Sequence, residues 1–190
     1  MLWRPATERH AGLPVPNERD FVSDRLRIGF GADDAGADLK NALYREFAAQ
    51  TAFLTCDFGV PDARSDMQSY PEIGLKVAQA VAAGELDRAV LVCGTGIGMA
   101  ISANKVPGVR AATAYDAYSV ERSVLSNNCQ VLALGARVVA APLALMIVRQ
   151  WLSLTFDETS PSSSKLAVLS RYEKSGVMPE WHGEVEPSGR

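Results

Sequence analysis

The chain has 190 residues, 47% apolar and 22% charged, with a net charge of −3. That size and balance suit a single domain with a sizeable core. The weak negative charge argues against a nucleic-acid partner and against a polybasic membrane patch, and no apolar run approaches the roughly 20 residues of a membrane span. The opening MLWRPATERH lacks an apolar h-region, so no secretory signal is expected. Cys56, Cys93 and Cys129 are too widely spaced for a disulfide framework or a CxxC metal site, and a reducing cytoplasm is the expected compartment. The two histidines, His10 and His182, stand near the ends, so neither a His-dependent triad nor a His-rich zinc site is expected.

Residues 1–24 read as an N-terminal extension, broken by Pro5, Pro14 and Pro16. Residues 25–175 read as the domain, and 176–190 as a flexible tail. Leu26–Phe30 reads as a buried strand, followed by a helix with Leu39, Leu43 and Phe47 on one face. Ala52–Phe58 is a second strand, in which Cys56 reads as a small buried residue; Asp57 and Asp62 read as solvated turn residues. Pro71 opens a helix with Ile73, Val77, Ala80 and Val81 inward. Arg88–Cys93 is the clearest buried strand, and a short helix follows it to Lys105, before Pro107. Val109–Ala114 is a fourth strand, Asp116 the N-cap of a helix to about Asn127, and Val131–Gly135 a fifth strand. Leu143, Ile147, Trp151 and Leu154 mark a long amphipathic helix. Serines 162–164 are placed to cap a last helix with Leu166, Leu169 and Tyr172 inward. Strands alternating with helices predict a doubly wound, five-stranded parallel α/β sheet with right-handed crossovers. Its ligand should bind beyond the C-terminal strand ends.

The segment VCGTGIGMAISANK carries the strongest chemical signal. Gly94, Gly96 and Gly98 follow a strand and open a helix, which is either a turn that needs glycine for its backbone or a cradle of free N–H groups for an anion. It is neither a P-loop nor a GxGxxG fingerprint. Cys93 stands just before the turn, where a helix N-terminus favours the thiolate. A thiolate with no histidine suits proton abstraction α to a carbonyl, with the cradle stabilising the enediolate oxygen. Asp33 and Asp34 in GADDAG read either as helix-capping carboxylates or as site residues, and no third carboxylate has the spacing of a magnesium site.

GADDAG, SYP (Ser69–Pro71), CGTGIGMAISANKVPGVRAA and NNCQVLALGARVV resemble the type B ribose-5-phosphate isomerases and their galactose-6-phosphate isomerase relatives, from about Arg25 to Trp151. The resemblance implies interconversion of aldose and ketose phosphates through a cis-enediolate, without metal or cofactor. It implies a homodimer with shared active sites, with pairing to a tetramer left open. By motif, Cys93 is the base, Thr95 assists through its hydroxyl, and amides from Gly94 to Gly98 hold the enediolate. Asp33 matches the first-loop Asp, Tyr70 the Tyr of DYP, Asn127 the partner-supplied Asn of HND, and Arg137 a phosphate-binding Arg.

The sequence also departs from that pattern. Asp34 replaces the first-loop His as a substrate-binding candidate, and Ser126 replaces the His of HND, to which the family's ring opening is ascribed. The C-terminal RHxxRV phosphate clamp is absent, and Lys165 and Arg171 are the cations left in its place. The substrate implied is a small phosphorylated sugar, with an open-chain tetrulose 4-phosphate favoured because it needs no ring-opening acid. The alternative is a non-catalytic subunit or a phosphosugar-binding paralogue.

Overall fold

The computed structural model describes residues 25–59 and 69–177. The expected extension over 1–24, Asp62, and the tail from 178 lie outside the described residues. Five parallel strands, β1 (Leu26–Ala32), β2 (Phe53–Asp57), β3 (Arg88–Cys93), β4 (Ala111–Thr113) and β5 (Val131–Gly135), form one sheet in the order β2-β1-β3-β5-β4. The helices are α1 (Ala37–Ala48), α2 (Tyr70–Ala82), α3 (Ile97–Ala103), α4 (Ala117–Leu125), α5 (Ala141–Ser153) and α6 (Ser162–Ser175). No helix of the described residues is long and apolar enough to cross a membrane.

The central strands are covered on both faces, so RAVLVC and VLALG run as unbroken apolar stretches. On one face Leu43 and Phe47 of α1, Val120 and Val124 of α4, and Ile147 and Trp151 of α5 pack over Phe30, Val92 and Leu134. On the other, Ile73 and Val77 of α2 and Met99 and Ala103 of α3 pack over Leu91 and Ala133. The chain leaves β1 through α1 on one face and reaches β3 through α2 on the other. The strand order therefore reverses between β1 and β3, and a crevice opens at their C-terminal ends.

Local chemistry sets the helix starts. Asp116 accepts the Ser119 N–H at 2.8 Å, as its N-cap role requires. Ser69 and Glu72 form a capping box, with the Ser69 N–H donating to Glu72 at 2.7 Å and Pro71 in the first turn.

Four expectations are corrected. Leu143 lies on the exposed face of α5, whose inward stripe is Ala144, Ile147, Val148 and Trp151. Of the three α6 positions only Leu166 is buried, because the helix lies at the edge of the domain; Leu169 and Tyr172 are exposed. Pro161, not a serine, is the α6 N-cap, and the serines occupy the first turn. Cys56 is exposed because β2 is an edge strand.

Asp57 keeps its expected turn role, exposed at the strand end with a carboxylate oxygen accepting the Gly59 N–H at 2.8 Å, and it has a second partner as well. It ends β2 and holds Lys40 Nζ with both oxygens, at 2.7 and 2.8 Å. The Lys40 side chain is 1% exposed and that of Asp57 31%, so the lysine has surrendered nearly all its hydration to one partner. Removing that partner strands a buried charge, whereas removing the lysine frees a carboxylate that water still reaches. Asp57→Ala should therefore cost about 3 kcal/mol in urea unfolding, while Lys40→Met stays near neutral. Equal losses in the two variants would contradict this asymmetry.

Candidate active site

The crevice is built around the end of β3. After Cys93 the chain turns through Gly94–Gly96 and enters α3 at Ile97. Gly96 has a φ of +76°, and a Cβ there would stand 3.0 Å from the Ala133 carbonyl oxygen, so only glycine fits. In this conformation the Gly96 N–H donates to Cys93 Sγ at 3.1 Å. The first amides of α3 have no carbonyl a turn earlier to bond. The loop after β5 is stitched to the turn, with the Ala136 N–H on the Cys93 carbonyl at 2.8 Å and the Arg137 N–H on the Gly94 carbonyl at 3.1 Å. That fixes the Arg137 backbone while its guanidinium lies over Gly94.

The first loop closes the side of the crevice nearest β1. Asp33 accepts the Gly36 N–H at 3.0 Å, which is the capping role one of its two sequence readings assigned. It also faces the cleft. Burial pushes its carboxyl above the usual carboxylate range and neighbouring Asp34 adds to that, against the Gly36 amide and Arg137. Across the cleft the Tyr70 ring lies over Gly98, so close that a Cβ at 98 would stand 2.4 Å from it.

The resulting hollow measures about 580 Å³. Asp33 and Asp34 line it from the first loop, and Cys93, Gly94, Thr95 and Gly98 from the β3 turn. Tyr70 lines it from α2 and Arg137 from the loop after β5. Gly96 is buried beneath as part of the turn. Two sequence candidates stand elsewhere. Asn127 lines a separate hollow beside α4, its Nδ2 donating to the Arg122 carbonyl at 2.9 Å. Lys165 is exposed on α6 and lines neither hollow.

Sequence reasoning missed three contributors. Ile97 and Ile101, 57% and 56% exposed, form an apolar wall of the cleft. They are one turn apart on α3, so an outward apolar pair was the available signal. Tyr115, just beyond β4, donates its hydroxyl to the Thr95 carbonyl and so braces the turn from behind. Burial pushes its phenol up, and the nearby Cys93 sulfur adds to this.

The ribose/galactose isomerase family model matches residues 28–169. The chain belongs to this family. The D-erythrulose-4-phosphate isomerase 2 of Mycolicibacterium smegmatis is 49% identical over 149 residues, 78% of this chain and 97% of the relative. The D-erythrulose-4-phosphate isomerase of Pectobacterium atrosepticum is 42% identical over 151 residues, 78% of this chain and 98% of the relative. Ribose-5-phosphate isomerase B of Clostridium thermocellum, 39% identical, superposes with a TM-score of 0.72 over 80% of this chain and all of the other. This member of the family is an aldose–ketose isomerase of sugar phosphates, with the family's doubly wound α/β fold.

Two measurements check the geometry. Cys129 is buried and its thiol is pushed up to about 11, whereas Cys56 is exposed. Iodoacetamide at pH 7.5 should therefore label Cys56 and spare Cys129 until the protein unfolds; labelling of native Cys129 at a matching rate would contradict this. Tyr115→Phe should cost about 1 kcal/mol of stability, the usual net worth of one hydrogen bond, and lower kcat more than it raises KM. An unchanged kcat would show that the brace does not hold the catalytic turn.

Proposed function

We propose that the chain interconverts D-erythrulose 4-phosphate and the corresponding tetrose 4-phosphate through a cis-enediolate, with Cys93 as the base. The thiolate takes a proton from the carbon beside the carbonyl, and the resulting thiol returns it to the neighbouring carbon. Thr95 passes the hydroxyl proton between the two oxygens. Amides of the Gly94–Gly98 turn, where α3 begins, hold the enediolate oxygens. Tyr70 and the two carboxylates of the first loop orient the sugar hydroxyls, and Arg137 faces the phosphate.

One observation carries the substrate reading: the two positions where the family pattern has histidine are Asp34 and Ser126. A tetrose esterified at O4 has no free hydroxyl that can close a furanose, so it needs no ring-opening acid. The two D-erythrulose-4-phosphate isomerases, at 49% and 42% identity, support this over the pentose. Ribose 5-phosphate is the second reading, favoured by the likeness to the Clostridium thermocellum enzyme.

The same reading makes the protein a homodimer with Asn127 supplied across the interface, because a single chain keeps Asn127 outside the cleft. It places the enzyme in the cytoplasm, where a catalytic thiol stays reduced. Cys93→Ala should lower kcat by about 10²–10⁴, the usual worth of a general base, with little change in KM. If most activity survives, another group is the base. D-erythrulose 4-phosphate should also be used with a higher kcat/KM than ribose 5-phosphate. Equal or better use of the pentose would overturn the open-chain reading.

A further inference from the structure

The catalytic cleft is poorly suited, on its own, to a phosphate dianion. Among the described residues lining it, Asp33 and Asp34 oppose the single cation Arg137, so its formal charge is negative. The molecule has a second hollow, of about 460 Å³, with the opposite character. Arg110 and Arg122 line it, and among the described residues no carboxylate does. The hollow also contains Asn127.

Arg122 is tied to Asn127 by structure. Both stand at the end of α4, where the Asn127 amide donates to the Arg122 carbonyl at 2.9 Å. The Arg122 guanidinium extends to Ser126, at 3.4 Å, beside the position where the family pattern has its histidine. Its Nη2 pairs with Glu121, its face lies over the Tyr118 ring at 5.8 Å, and its Nε is buried without a hydrogen-bond partner among the described residues. Each Nη makes one bond among the described residues, to Ser126 and to Glu121, which leaves a second N–H on each for an anion. Arg110 is less free, since its Nε already holds the Asn128 carbonyl at 3.1 Å.

We propose that α4 of one copy delivers Arg122, together with Asn127, to the Cys93 cleft of the other, and that Arg122 grips the substrate phosphate there. This rests on the shared-site dimer proposed above. Charge complementarity supports the pairing: a cleft with excess carboxylate meets a surface with two arginines, and the phosphate is held between arginines from both copies. Arg122 then takes the place of the absent C-terminal clamp, while Lys165 on α6 lines neither hollow.

The test has two arms. In the first, Arg122→Gln is assayed with D-erythrulose 4-phosphate and with inorganic phosphate as a competitive inhibitor. KM and the phosphate inhibition constant should each rise about 10–100-fold while kcat changes little, as expected for loss of a charge-assisted bond to bound phosphate. Arg122→Lys, which keeps the charge and guards against a folding failure, should fall between. Unchanged KM and phosphate inhibition in both variants would overturn the proposal. In the second arm, differently tagged Cys93→Ala and Arg122→Gln chains are co-expressed and the heterodimer isolated. At substrate well below KM it should show about half the native activity, because one of its two shared sites carries neither change. Activity no greater than the mean of the two parent variants would overturn delivery across the interface. In either failure the Cys93→Ala homodimer remains inactive if the isomerase reading stands, so that loss separates the two claims.

Discussion

The site depends on one constraint: the chain must turn from β3 into α3 within three residues while keeping the Cys93 sulfur at the strand end. Gly96 makes this possible by adopting a left-handed conformation against the Ala133 carbonyl, and its amide then points at the sulfur. The neighbouring elements are arranged around this turn. The loop after β5 bonds its carbonyls, Tyr115 braces its Thr95 carbonyl, and Tyr70 packs on Gly98. A substitution at any of these points disturbs the turn that positions the thiol, and at Tyr70 it also alters the lining of the cleft.

The reversal of strand order supplies the second half of the site. Because β2 and β3 lie on opposite sides of β1, the first loop and the β3 turn face each other across a crevice with no crossover covering it. Asp33 performs two tasks there: it caps the turn leading to α1 and presents a partly desolvated carboxyl to the cleft. Its neighbour Asp34 makes the cleft more negative. That choice is intelligible if phosphate affinity comes partly from arginines on a second chain, and if the sugar is already open when it arrives.

Much of this was legible in the sequence because it depends on local chemistry. The apolar runs at 88–93 and 131–135 are buried strands, Asp116 caps a helix, and the glycines after Cys93 form a tight turn. What escaped depends on contacts between distant residues. The Lys40–Asp57 pair joins a helix to an edge strand 17 positions away, and neither residue signals it alone. Cys56 sits in an apolar run but on the sheet edge, which only strand order reveals. The α6 periodicity suggested three inward residues, yet one helix at the margin of the domain found a partner only for Leu166. Tyr115 was invisible because its role is defined by the position of β4 beside β5, not by any motif.

The central claim is that the thiol at the end of β3 moves a proton between two carbons of a bound sugar phosphate. Turnover of D-erythrulose 4-phosphate in deuterium oxide, followed by proton NMR, tests it most directly. The account predicts deuterium at the carbon that gains hydrogen, at least in part of the product, and loss of both turnover and incorporation in Cys93→Ala. Undiminished turnover in Cys93→Ala, with deuterium entering the product as in the native enzyme, would contradict the account.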